Sequence, residues 1–345
     1  MGLSRYNEDA LKTWFSADDV VLVAPLNWGL GHAVRCIPII RWLTGHCKSV
    51  IIASDGAALD FLRKEFPNLP YDVLPGYNIR YTYNNIVLNL IMGAYHIISA
   101  AIKEHLLLKK IVRKHQISVI LSDNRLGMYN TTTKSIYITH QVNLLHPVQW
   151  ISRTGTRVHR WFISKYDHCL IPDFGGDAAL CPALSHGLHT NCTLIGPVTE
   201  IKKLNIPQVT DILIILSGPE PQRTILEKSL LINLVVLTEY KIKLIRGTDE
   251  LLKYDTDNTP HISIINTASR KEVEYYLNSS RLLISRPGYT SVMDVSNLDI
   301  KAIWIPTPGQ TEQEYLADRL SYSDKYSIVR QNEINNLIKH IKLMI

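Results

Sequence analysis

The chain has 345 residues, of which 46% are hydrophobic and 20% charged, and Lys and Arg outnumber Asp and Glu by 37 to 31. This balance excludes a disordered chain, and the length allows two hydrophobic cores without a disulfide or metal staple. The small positive excess suits phosphorylated substrates or an anionic membrane surface and is too weak by itself to indicate nucleic acid.

The five cysteines are dispersed with no CxxC pair, which reads as reduced thiols and gives no zinc site. The N-terminus has no apolar core of the signal-peptide type, so a cytoplasmic setting is expected. Along the chain, short β-branched runs alternate with longer mixed segments, the pattern of βαβ units and parallel sheets. Strands are predicted at Val20–Ala24, Val50–Ala53, Tyr71–Leu74, Ser118–Leu121, Ser135–Thr139, His168–Ile171 and Cys192–Ile195. Helices are predicted after Gly31, Gly56 and Ser99.

The uncharged stretch Tyr81–Ile102 is long enough to span a bilayer. Asn84, Asn85, Asn89, His96 and Ser99 would each be costly in lipid, so a transmembrane helix is rejected. Beyond it, Lys103, Lys109, Lys110, Arg113 and Lys114 face only Glu104, which makes residues 81–115 a candidate peripheral membrane contact. The alternative is a helix packed on the sheet through Ile97, Ala101, Leu108 and Ile111 with its lysines solvated.

Gly196-Pro197 and the polar run after it read as a linker. The alternation then restarts at Ile212–Leu216, Ile242–Ile245, Ile262–Ile265, Leu282–Ile284 and Ala302–Ile305, and QNEINNLIKHIKLMI reads as an amphipathic closing helix. The expected architecture is α/β, with two Rossmann-like domains whose parallel sheets face a central cleft. The expected bounds are 1–198, a linker over 199–210, 211–330 and the closing helix over 331–345.

Two strand-to-helix turns carry the chemistry. In APLNWGLGHAVRC, Gly29 and Gly31 permit a tight turn at the strand's carboxyl end, where open α/β sheets bind ligands. His32 falls in the helix's first turn, where the helix dipole favours a neutral imidazole able to accept a proton. Arg35, on the same helix face, is a candidate anion contact. The third glycine of a dinucleotide fingerprint is missing, since Val34 stands there. Asp123, Asn124 and Arg125 follow a later strand; Asp123 can orient His32 or serve as the base itself, and Asn124, Arg125 and His140 are candidate acceptor contacts.

In LLISRPGYTSVMDV, Arg286 ends a strand, Pro287-Gly288 make the turn, and Tyr289, Thr290 and Ser291 open a helix whose free N–H groups suit a phosphate. Asp294 can accept from a ribose hydroxyl. Gln310, Thr311, Glu312 and Gln313 cluster at the next such turn and suit a hydroxyl-rich ligand, and Ser217 and Gly218, in the loop after the second domain's first strand, can approach a diphosphate. No GxSxG, HExxH or Walker lysine loop is present, and no stacking platform of aromatics accompanies the basic residues, which argues against nucleic acid. The lack of a DxD-type pair favours chemistry without a metal cofactor.

With these residues placed, RPGYTSVMDV and PTPGQTEQEYLADRL resemble the C-terminal domain of glycosyltransferase family 28. The resemblance implies a GT-B fold and an inverting transferase. A UDP-sugar such as UDP-GlcNAc would be held by the second domain, and a lipid-linked or glycan acceptor by the first. It further implies that the turn at Gly288–Ser291 holds the diphosphate, that Asp294 meets the ribose, and that Gln313 with its neighbours meets the donor sugar. Ala317-Asp318 stands where the family commonly has Asn-Ala. The segment GLGHAVR is also similar to the GxGHxxR loop of UDP-sugar hydrolases of nonulosonic-acid biosynthesis, which implies a hydrolase or epimerase using His32 as the enzymatic rival.

Overall fold

The computed structural model describes residues 8–77, 86–187, 191–218, 220–248, 250 and 259–345. The chain divides into two compact units, one ending at Thr199 and the other beginning at Glu200.

The first unit runs α1 (Glu8–Lys12), β1 (Val20–Pro25), α2 (Gly31–His46), β2 (Ser49–Ser54), α3 (Gly56–Glu65), β3 (Tyr71–Val73) and α4 (Ile86–His115). It continues through β4 (Val119–Asp123), β5 (Lys134–Ile138), α5 (Gln149–Ile163), β6 (His168–Ile171), α6 (Pro182–Ser185) and β7 (Cys192–Leu194). Strands β1, β2 and β4 are near-continuous apolar runs because helices cover both faces of a parallel sheet. The strand order is β3-β2-β1-β4-β5-β6-β7, with every neighbouring pair parallel. The order reverses between β1 and β4, which opens the crevice where such sheets take ligands. In that pairing Pro25 lies beside Asp123, so both end at the same edge. One sheet face packs Val21, Val23, Ile52 and Leu121 against Ile37, Ile40 and Leu43 of α2. The other packs Leu22, Ile51 and Ile120 against Leu108 and Ile111 of α4.

The second unit runs β8 (Thr210–Ile215), α7 (Gln222–Leu234), β9 (Ile242–Ile245), β10 (Ile262–Ile265), α8 (Arg270–Asn278), β11 (Ser280–Ser285) and α9 (Tyr289–Ser296). It ends with β12 (Lys301–Trp304), α10 (Thr311–Leu320), β13 (Tyr326–Ile328), a 3-10 segment (Gln331–Asn336) and α11 (Leu337–Met344). Its order is β10-β9-β8-β11-β12-β13, again all parallel, with the reversal between β8 and β11.

Four elements differ from expectation. Helix α4 begins at Ile86, not after Ser99, because most of the uncharged stretch is itself helical; residues 81–85 lie outside the described residues. Among the described residues no helix is long and apolar enough to cross a membrane. Helix α5 adds to the predicted set: Ile163 is its one fully buried residue, while its apolar Trp150, Val158 and Trp161 are exposed. Strand β13 is short and half-buried, and the closing segment is α-helical only from Leu337, where Leu337 and Ile341 enter the second core.

On the inner side of α5, half-buried His159 has Nε2 3.1 Å from the hydroxyl of buried Tyr137. Burial pushes its pKa down to about 4. Its unfolded value lies near 6.5, so the unfolded chain binds the extra proton between those values and stability is lost as pH falls through that window. His159 should contribute about 3 kcal/mol of acid sensitivity to the first unit between pH 7 and pH 4. Chemical denaturation across that range should show a slope that His159→Gln flattens.

Candidate functional site

The turn after β1 is set by Gly29, whose φ of 73° lies in the left-handed region that a side chain resists. Leu30 then stands at the N-cap of α2 with no side-chain cap. Gly31 and His32 therefore open the helix at the sheet edge. His32 Nδ1 lies 2.8 Å from Asp123 Oδ1, and the ring is 15% exposed. An ionised carboxylate only accepts, so Nδ1 carries the proton and donates to Asp123. This leaves the Nε2 lone pair with no hydrogen bond among the described residues, an arrangement that can accept a proton.

Asp123, at the end of β4, is fully buried. Burial alone would raise its carboxyl, but Arg35 and then His32 outweigh burial and hold it well below the usual carboxylate range. Arg35 Nε donates to Asp123 Oδ2 at 2.9 Å and its Nη2 donates to Oδ1. Its Nη1 lies 2.9 Å from His140 Nδ1, and Cys36 Sγ sits 3.5 Å from Asp123 Oδ2. Arg35 and His140 were expected to touch an anion or an acceptor. Both are buried, and the guanidinium is turned onto Asp123, so they position the dyad from behind.

Arg125 requires the clearest correction. It is fully buried and donates to Glu104 Oε1 at 2.5 Å, to Asp55, and to the carbonyl of Pro25 at 2.9 Å. Tyr77 donates to the same Glu104 at 2.8 Å. Arg125 thus ties the ends of β1 and β2 to α4 and has two carboxylates already, which leaves it no charge to offer a ligand. Asn124, at φ 57°, makes the left-handed turn between Asp123 and Arg125 that sends these two side chains into different networks.

In the second unit, Ser217 and Gly218 follow β8 and are exposed, with Gly218 at φ 106°. Gly288 is the N-cap of α9 and follows the neighbouring strand β11. A Cβ built on Gly288 meets nothing within 4 Å, so the helix end is open. Thr290 and Ser291 are half-exposed beside it, whereas Tyr289 is buried and contributes only its backbone to that surface.

Arg286 is buried and was expected to meet the diphosphate directly. Its Nη1 donates instead to the carbonyls of Ile305 and Pro306 at 2.9 and 3.0 Å, and its Nη2 to Gln331 Oε1 at 2.6 Å. Burial without a carboxylate partner lowers its pKa to about 10, so it remains a cation behind the α9 N-terminus.

Asp294 is held by the fork of Arg270 at 2.9 and 2.8 Å, a partner on the preceding helix, α8, that sequence spacing could not show. At the start of α10 Gln310 is exposed and Thr311 and Glu312 are half-exposed. Gln313 is buried, its Oε1 accepting from Thr307 N at 2.8 Å, and Glu314 accepts from Gly309 N at 3.0 Å. Gln313 thus shapes the loop from within. Among the described residues no His, Cys, Asp and Glu cluster forms a metal-binding group.

Residues 220–345 match the glycosyltransferase family 28 C-terminal domain. The chain is similar to MurG of Acinetobacter baumannii at 12% identity, over 95% of this chain and 91% of that one, with a TM-score of 0.57. It is similar to CalG4, the calicheamicin glycosyltransferase, at 10% identity over 95% and 90%, with a TM-score of 0.64. It is also similar to the spinosyn rhamnosyltransferase SpnG complexed with thymidine diphosphate, at 13% identity over 94% and 91%, with a TM-score of 0.62. No curated protein matches the sequence. The fold is that of the GT-B glycosyltransferases. Within that fold, its C-terminal domain matches the domain of glycosyltransferase family 28.

The buried Arg125–Glu104 pair generates a stability test. Arg125→Met should cost about 3–5 kcal/mol, because it leaves Glu104 buried and unpaired. Adding Glu104→Gln should restore part of that loss, read from denaturant unfolding of both variants.

Proposed function

We propose that the protein transfers a sugar from a nucleoside-diphosphate sugar, a UDP-sugar such as UDP-GlcNAc, to the hydroxyl of a lipid-linked or glycan acceptor with inversion, in the building of cell-envelope glycans. The observation that carries this reading is the His32–Asp123 dyad at the β1/β4 switch point, in a chain whose second unit has a family 28 domain. His32 Nε2 removes the proton as the acceptor oxygen attacks the anomeric carbon. The bond to the diphosphate breaks on the opposite face, and the imidazolium rests on Asp123. The charge developing on the diphosphate falls to the N–H groups of α9 at Gly288–Ser291, with the Arg286 cation behind them and no metal needed. Gln310, Thr311 and Glu312 offer amide, hydroxyl and carboxylate groups to the sugar or ribose. The neighbour SpnG is complexed with a nucleoside diphosphate, which supports this class of donor.

The acceptor's setting is read from α4. Ala101, Leu108 and Ile111 pack on the sheet as a core helix requires, yet Tyr95, Ile98, Ile102 and Leu106 form an exposed stripe on the other side. Lys103, Lys109, Lys110 and Arg113 are exposed alongside or beyond it, while Lys114, also exposed, pairs with Asp72 at 2.7 Å. An apolar stripe with cations suits peripheral contact with the cytoplasmic leaflet.

His32→Ala should lower turnover by about two to four orders of magnitude while UDP binding persists. Asp123→Asn should also slow turnover, through the wrong imidazole tautomer. Both are read as UDP release from several UDP-sugars with and without a lipid or glycan extract. Acceptor-independent release of free sugar would make the protein a hydrolase, and a changed sugar an epimerase.

UDP, but not NAD, should raise the melting temperature of the wild type, at saturation by the equivalent of about 2–3 kcal/mol. Gly288→Val should fold normally, since open space surrounds its Cβ, and should lose that shift.

A further inference from the structure

Helix α5 carries surface chemistry that the proposed transfer step does not invoke. Trp150 and Trp161 are 63% and 53% exposed, with Val148 and Val158 exposed near them. At the helical period Trp150, Arg157 and Trp161 fall within an arc of roughly 40°. Beside this face lies a groove of about 430 Å³ lined by Asn143, Leu144, Ser152, Arg153, Arg157 and Arg160. Arg160 is spent on the carbonyl of Gly187 and on Asn143. Arg153 and Arg157 are exposed and pair with no carboxylate among the described residues. The sequence explains this: from Asn124 through Tyr166 there is no Asp or Glu.

The combination selects one kind of partner. Tryptophan has a large apolar ring with one polar N–H and suits the boundary between headgroups and acyl chains. Two unpaired guanidinium forks suit phosphate oxygens. A face without acids presents nothing that repels an anionic surface. Register places α5 on the same sheet side as α4: Ser122 is paired with Tyr137, Ile120 points to the side of Ser122, Ile120 packs under α4, and Tyr137 packs with Ile163 of α5.

We infer that α5 is a membrane-docking element of its own, which inserts Trp150 and Trp161 at the headgroup boundary of an anionic phospholipid surface and sets Arg153 and Arg157 on its phosphates. It depends neither on the transfer reaction nor on the stripe of α4.

The test is flotation of the full chain with phosphatidylglycerol-containing vesicles against pure phosphatidylcholine vesicles. Wild type should favour the anionic vesicles, and brominated lipid should quench part of its tryptophan emission. Arg153→Gln/Arg157→Gln should weaken binding roughly 30-fold. Trp150→Ala/Trp161→Ala should weaken it at least about tenfold and abolish most of the quenching. Both sites are on the surface, so unchanged circular dichroism and melting temperature establish that the variants fold. Wild-type binding by both folded variants overturns the inference, as does equal binding to both vesicle types. Full displacement by soluble glycerophosphate points to a free phosphate ligand, and binding of polyglutamate without binding of vesicles points to an acidic protein; either result also overturns it. A Lys109/Lys110/Arg113/Lys114→Glu variant that still binds through α5 separates this helix from α4.

Discussion

A carboxylate with no contact with water is the constraint around which the first unit is arranged. Asp123 can remain ionised at the end of β4 only because Arg35 reaches it from α2 with two donors and His32 adds a third. Removing one partner of such a buried pair leaves a bare charge, which costs far more than the pair contributes as a whole. The requirement fixes the pitch of α2 against the sheet, since His32 and Arg35 must both face β4 from adjacent turns. It also fixes the tautomer of His32, and with it which ring nitrogen meets a substrate. Packing and chemistry therefore impose the same geometry.

The turn into α9 handles charge in the opposite way. Arg286 is buried on carbonyl and amide oxygens, with no carboxylate among the described residues to neutralise it. An unbalanced cation costs desolvation energy, and its lowered pKa records that cost. Its position just before the α9 turn gives the cost a use: it adds positive potential where the helix dipole is already positive. The contrast is local to the two turns: Asp123 is compensated by Arg35 and His32, whereas Arg286 rests on neutral oxygens, even though the second unit pairs its other buried arginines, Arg223 and Arg246, with Glu227.

Much of this was legible in the sequence because parallel strands buried on both faces are written as unbroken apolar runs. Ile242–Ile245 and Ile262–Ile265 coincide with their strands, and the turns at Gly29 and Gly288 stand where glycine suggested them. The elements that escaped lack that signal: α5 fully buries only Ile163, and β13 is short and half-exposed. Among the site residues, the pairing of His32 with Asp123 was open to reading because both follow strands that a Rossmann order brings together. The fates of Arg125, Arg286 and Asp294 were not. Their partners, Glu104, Gln331 and Arg270, are settled by tertiary packing and have no fixed spacing in the chain. A charged residue at a strand end looks the same in sequence whether it faces a ligand or a neighbouring helix.

The loop between β12 and α10 is clipped from within, Gln313 on Thr307 and Glu314 on Gly309, while Gln310, Thr311 and Glu312 stand outside. Scaffold and reading surface are thereby assigned to different side chains. On the proposed reading, in which the outer three meet the donor, exchanges there alter which hydroxyl pattern is recognised without asking the backbone to find a new path. Exchanges at the inner two would disturb every contact at once. Such a division gives a lineage freedom to drift between related sugars by single steps, because novelty in recognition need not pass through an unstable intermediate.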